Sequence, residues 1–208
     1  RWIEAGLWGL LSGSALVIGA VIGFRLNVPR KLVAMIMAFG SGVLISALSF
    51  ELMEEAFEHG GIVGTAIGFV AGAGIFTIAN LILARQGAKH RKRSGEHQPT
   101  EGEDEGSGMA IALGALLDGI PESIVIGLSL VTGGAVSWVA VVAIFMSNLP
   151  EGLASATGMK RAERSFGYVM GLWSAIALVS GVAAIVGFLA FRHASPDVVA
   201  GTTAVAAG

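Results

Sequence analysis

Polar and apolar positions along this chain separate into long blocks rather than alternating at short period. Apolar runs cover residues 6–24, 32–53, 62–84, 109–131, 135–159 and 166–191, and another begins near residue 198. Most are about 20 residues long, enough to cross a hydrocarbon core of roughly 30 Å as a helix. Lipid offers a backbone no hydrogen bonds, so such segments must satisfy their own, which selects helices. The pattern predicts an all-α protein, a polytopic transmembrane helical bundle with six complete helices and the start of a seventh.

Composition supports that pattern. Of the 208 residues 54% are hydrophobic and 13% charged, where a soluble domain averages about 25% charged. There is no cysteine, which excludes a disulfide framework and a thiolate metal site. The only long polar segment is 85–108, basic first and acidic later, with Gly, Ser and Pro throughout. It is expected to be a flexible loop without a core of its own. It divides one membrane domain into 1–84, with helices 1–3, and 109–208, with helices 4–6 and the start of a seventh. The chain begins at Arg1 and ends inside the apolar run VVAGTTAVAAG, and both ends are expected to be fragment boundaries.

Charge then suggests an orientation. All of the 13 Lys and Arg except Arg1 and Arg192 fall in the connections after the first, third and fifth runs. Lys and Arg are retained on the cytoplasmic side. The expected arrangement is a multi-pass protein of the cell membrane with its N-terminus outside and the loop 85–108 in the cytoplasm.

Candidate chemistry sits inside the apolar runs. Residues 116–130 read LLDGIPESIVIGLSL, and 146–159 read MSNLPEGLASATGM. Asp118 and Glu122 are four residues apart and share a helix face, and Ser147 and Glu151 repeat the spacing with Asn148 beside them. Pro121 cannot bond the carbonyl of Leu117, nor Pro150 that of Met146. Two antiparallel neighbours joined by a short loop would therefore gather side-chain and main-chain oxygens at one depth. A charge at the bilayer centre costs about 2.5–3.5 kcal/mol on insertion scales. Neither run holds a Lys, Arg or His to neutralise its acids, so protons or a bound cation must do so. A divalent cation held by Asp118, Glu122, Ser147, Asn148 and Glu151 is the simplest candidate. Protonated carboxylates bonding across helices are the structural alternative. The second run ends FELMEEAFEHGG, where Glu51 and Glu55 pair at i,i+4, as do Glu54 and Glu58. Such an acidic mouth concentrates cations, which makes Glu51 and Glu55 candidates for a metal entrance.

At these residues the chain resembles the ZIP (Zrt/Irt-like protein) family of divalent metal transporters. That family carries His-Asn-x-Pro-Glu-Gly on its fourth helix and a related x-Asn-x-Pro-Glu-Gly on its fifth. Here they stand as Asp118-Gly-Ile-Pro-Glu122-Ser and Ser147-Asn-Leu-Pro-Glu151-Gly. The stretch FELMEEA looks like the family's His-Leu-x-Pro-Glu-Ala, with Glu51 at the histidine and Glu55 at the glutamate. The resemblance spans essentially the whole chain. It implies eight helices in the complete protein, with most of the seventh and all of the eighth beyond residue 208. It also implies divalent-cation transport, zinc most often and iron or manganese in some members. The metal site would lie between helices 4 and 5, themselves sandwiched between inverted three-helix repeats.

The chain departs from the family at Asp118, where the histidine would stand, and at Gly119, where the asparagine would. Gly171-Leu-Trp-Ser174-Ala-Ile-Ala-Leu stands in place of the family's sixth-helix pattern and has no glutamate, which weighs against a second metal position. The remaining donors are all oxygen, a set suited to magnesium, manganese or ferrous iron, where zinc favours nitrogen and sulfur. The expected partners are the lipid bilayer and divalent metal ions as substrate, not nucleic acid, with a homodimer left open. Two other readings stay open, a proton-linked carrier of another solute and an intramembrane acid/base enzyme. The enzyme reading lacks a nucleophile constellation and a phosphate-binding loop.

Overall fold

The computed structural model describes residues 1–83, 85, 107–132 and 135–208, and every regular element among them is helical. The elements are α1 (Trp2–Arg25), α2 (Arg30–Ala47), a π-helical turn (Leu48–Leu52), α3 (Met53–Leu83), α4 (Ser107–Thr132), α5 (Trp138–Arg161), α6 (Phe166–Phe191) and α7 (Pro196–Ala207). Most of the loop predicted over 85–108 lies outside the described residues. Its last two positions, Ser107 and Gly108, already belong to α4.

Among the described residues five stretches are long and apolar enough to cross a membrane: Trp2–Arg25, Lys31–Ile82, Gly114–Val131, Trp138–Arg161 and Phe166–Phe191. The second of these covers two of the apolar runs. From the sequence the second helix is expected to end within the polar stretch before residue 62, yet α3 starts at Met53 and its only non-helical residue is Gly61, with φ 63° and ψ 176°. Glu54, Glu55 and Glu58 are good helix formers, and acids in a first turn suit the helix dipole, so polarity there does not end the helix. Gly61 does the bending, because its positive φ suits a residue without a side chain. As one straight helix the 52 residues of Lys31–Ile82 would be roughly 78 Å long.

Serines start the later helices. Ser137 and Ser165 accept from the amides of Ala140 and Tyr168, both at 3.2 Å, as helix N-caps do. Pro196 opens α7, where its missing N–H costs nothing.

Glycine contacts fix the helix directions. On α1, Gly19 and Gly23 lie against the carbonyls of Leu149 and Leu153 of α5, and Gly152 of α5 lies against that of Leu16. These contacts advance together, so α1 and α5 are parallel, at a separation that leaves no room for a side chain. Gly6, Gly9 and Gly13 meet Ile185, Ala184 and Ala177, making α1 and α6 antiparallel. Gly119 lies nearest Ser180, and Gly127 meets Ala184 and Phe188, making α4 and α6 parallel. Hence α4 and α5 are antiparallel, as expected, but they make few direct contacts with each other. Beside this group α2 packs on α5, and α3 runs parallel to α7 through Gly60, Gly68 and Gly72.

These directions collect Arg25, Lys160, Arg161 and Arg164 at one end of the bundle. There Lys160 Nζ donates to Asn27 Oδ1 at 3.2 Å, and the Arg25 guanidinium lies 5.1 Å from the centre of the Phe166 ring. A core of Leu16, Ala20, Ala115, Ala156, Met159 and the fully buried Trp173 joins α1, α4, α5 and α6. Toward the other end, Ala5, Ile126, Leu130, Val141 and Ala184 form a second core, flanked by the edge-on pair Trp8–Trp138 with ring centres 4.5 Å apart. Large apolar side chains such as Phe50, Ile62, Val63 and Val70 are exposed along the π-helical turn and α3, a surface suited to lipid.

Candidate functional site

A cavity of about 340 Å³ opens where α4 faces α5, and Asp118, Glu122, Ser147 and Glu151 all line it. The i,i+4 spacing puts each pair on one face, and both prolines belong to the wall. From α2 come Met37 and Ser41, from α3 Phe76, and from α7 its last residues. None of the described residues lining this space is Lys, Arg or His. The three carboxylates are each half-buried. They share one cavity, although among the described residues no three His, Cys, Asp or Glu side chains form a group able to hold a metal ion.

Asn148 does not line the cavity. It is 5% exposed, and its Nδ2 donates to the Ser12 carbonyl of α1 at 3.2 Å. The reason is periodicity: one residue on from Ser147 is about 100° around the helix, which turns Asn148 toward α1. The two freed carbonyls also differ. Leu117 lines the cavity, whereas the Met146 carbonyl faces Gly40 of α2, 2.9 Å from where a β-carbon would stand. Ser147 gives its hydroxyl proton to the Ile144 carbonyl at 3.0 Å, which leaves its oxygen lone pairs as acceptors.

Glu51 and Glu55 lie outside the cavity. Glu51 sits in the π-helical turn, where its Oε1 accepts from Ser137 Oγ at 2.6 Å. The Ser137 amide in turn donates to Ser129 Oγ at 3.1 Å. Glu51 is thus tied to the junction of α4 and α5. Between that junction and Glu122 lies a void of about 20 Å³ walled largely by apolar side chains, Leu44, Leu52, Val125 and Ile144 among them. Glu55 is half-buried one turn on, and its carbonyl accepts from His59 Nδ1 at 3.0 Å. Glu54 and Glu58 are exposed.

Two polar cavity residues escaped the sequence reading, Ser41 and Ser155. The signal for Ser155 was present: Ser147, Glu151 and Ser155 continue a single four-residue spacing along α5. Ser41 carried no comparable signal. Compared with known families and characterised proteins, the chain matches no family model and no curated sequence.

Chemically the site is an oxygen-donor cavity with three carboxyl groups and no described cationic residue in its wall. Hard and borderline divalent cations favour such a set. Carboxylates so placed can also pass protons.

Proposed function

We propose that this chain is a multi-pass membrane transporter that carries a divalent metal cation through the cavity between α4 and α5. The carrying observation is the lining itself, with Asp118, Glu122 and Glu151 meeting one space midway along apolar helices and no cationic residue in its described wall. Intramembrane acids are costly and mark ion pathways. The ZIP-like Pro-Glu motifs point to the same activity, with zinc as the family's usual substrate and iron or manganese favoured by the all-oxygen donors. Because no three of the described acids form a ready-made metal group, ion capture calls for α4 and α5 to move relative to each other, as expected where a site lies between elements that rock against each other. That same spacing supports the second reading, a proton-linked carrier in which the carboxylates relay protons and no metal binds.

The test is uptake into vesicles holding the purified chain and a metal-sensitive dye, with Mn²⁺ and Zn²⁺ added outside. Saturable uptake that disappears in Glu151→Gln supports metal transport. Proton movement without metal uptake supports the relay. The proposed orientation puts the basic end in the cytoplasm, as the retention of Lys and Arg on that side supports. In this cysteine-free chain, Glu58→Cys should react with an impermeant reagent on intact cells, and Glu163→Cys only after the membrane is opened. The reverse pattern would invert the orientation.

A further inference from the structure

Ser155 is 5% exposed and lines the cavity one helical turn beyond Glu151, toward the basic end of the bundle. The other described hydroxyls of these two helices return their proton to a main-chain carbonyl within one turn. Ser123 bonds Gly119 at 2.7 Å, Ser147 bonds Ile144 at 3.0 Å, and Thr157 bonds Leu153 at 2.8 Å. Ser155 makes no such bond, and its hydroxyl has no hydrogen-bond partner among the described residues. The Ser155 hydroxyl is not one of the fully enclosed polar atoms left without a partner, so it opens onto the space it lines, and polar groups in such sites find partners. The space in front of this hydroxyl is the cavity, so its partner comes from there.

We propose that Ser155 contacts the transported cation directly, its oxygen replacing one water of the hydration shell as the ion passes from the carboxylates toward the basic end. This rests on the metal-transport reading above. Met37 lines the same wall. Its helix α2 packs on α5 with Gly40 beside Met146 and Pro150, so the ion passing Ser155 has a thioether within the same chamber. The contact is a neutral one, added to those of charged groups, and it tunes which ion is held rather than whether one is.

The experiment measures stabilisation of the purified full chain against heat by Mn²⁺ and by Cd²⁺, in wild type, Ser155→Ala, Ser155→Thr and Ser155→Cys. Ser155→Ala should weaken apparent Mn²⁺ affinity about tenfold, the scale on which groups supporting a metal act, and Ser155→Thr should stay within about twofold of wild type. Ser155→Cys should shift the preference toward Cd²⁺, because a thiolate is a soft donor. It should also give a Cd²⁺-dependent thiolate absorption that the cysteine-free wild type lacks. If all three variants bind both ions as wild type does and no absorption develops, while Glu151→Gln abolishes stabilisation, Ser155 is overturned and the cation site stands. If neither ion stabilises the wild type, both are overturned.

Discussion

The helices α4 and α5 carry the same spacing of Pro and Glu and use it differently. Aligned on their prolines, Asp118 corresponds to Ser147, Gly119 to Asn148, Glu122 to Glu151 and Ser123 to Gly152. The first and third of these pairs line the cavity on both helices. The second and fourth point elsewhere and diverge. On α5, Asn148 donates to the Ser12 carbonyl and Gly152 receives the Leu16 backbone, so α5 is fixed to α1. On α4, Ser123 bonds the Gly119 carbonyl of its own helix, and a β-carbon on Gly119 would meet nothing closer than Ser180 Oγ at 3.9 Å. The close approach of α4 comes later, where Gly127 meets Ala184 and Phe188 of α6. One helix face is thus set by the ion chemistry and the adjoining face by packing, and only the first is repeated.

The largest expected effect is at the point of closest approach. Gly152→Leu forces a side chain into the Leu16 carbonyl and should destabilise the protein by more than about 3 kcal/mol, or prevent its recovery from detergent extracts. Next is Asn148→Leu. It removes the side-chain bond to the Ser12 carbonyl, which keeps its helical donor within α1, and should lower stability by about 0.5–1.5 kcal/mol, with metal-dependent stabilisation retained. Loss of that stabilisation without loss of stability would make Asn148 an ion contact. Smallest, and opposite in sign, is Gly119→Ala. The site has room, and alanine is the better helix former by about 1 kcal/mol, so unfolding should be unchanged or slightly harder. A marked loss there would mean that α4 is as tightly seated at Gly119 as α5 is at Gly152. Thermal or denaturant unfolding in detergent reads all three.

Much of this was legible from the chain. Long apolar runs located the helices, and the run 166–191 coincides with α6. The repeated Pro-Glu spacing brought Asp118, Glu122, Ser147 and Glu151 to one cavity without any tertiary information, because i,i+4 geometry is local. What failed was non-local or depended on rotation about a helix axis. Asn148 was grouped with Ser147 by adjacency in sequence, although adjacent residues face different ways. The short connection between α4 and α5 suggested direct packing, but the glycines of α1 draw α5 toward α1 instead. The polar stretch up to Gly61 reads as the end of the second helix, yet the helix runs through it and only bends at Gly61, because polarity ends an apolar run without ending a helix. Ser155 was overlooked because a lone serine in a membrane helix is ordinarily a packing residue, and only its missing carbonyl bond sets it apart.

The joint use of two helices is tested most directly by titrating the purified full chain with Mn²⁺ in a calorimeter. One ion should bind per chain. Glu122→Gln on α4 and Glu151→Gln on α5 should each weaken binding by more than about tenfold, while Glu58→Gln, on the exposed end of the acidic stretch, leaves it unchanged. A Glu122→Gln or Glu151→Gln chain that titrates like the wild type would show that one helix holds the ion alone, and would contradict a site shared between α4 and α5.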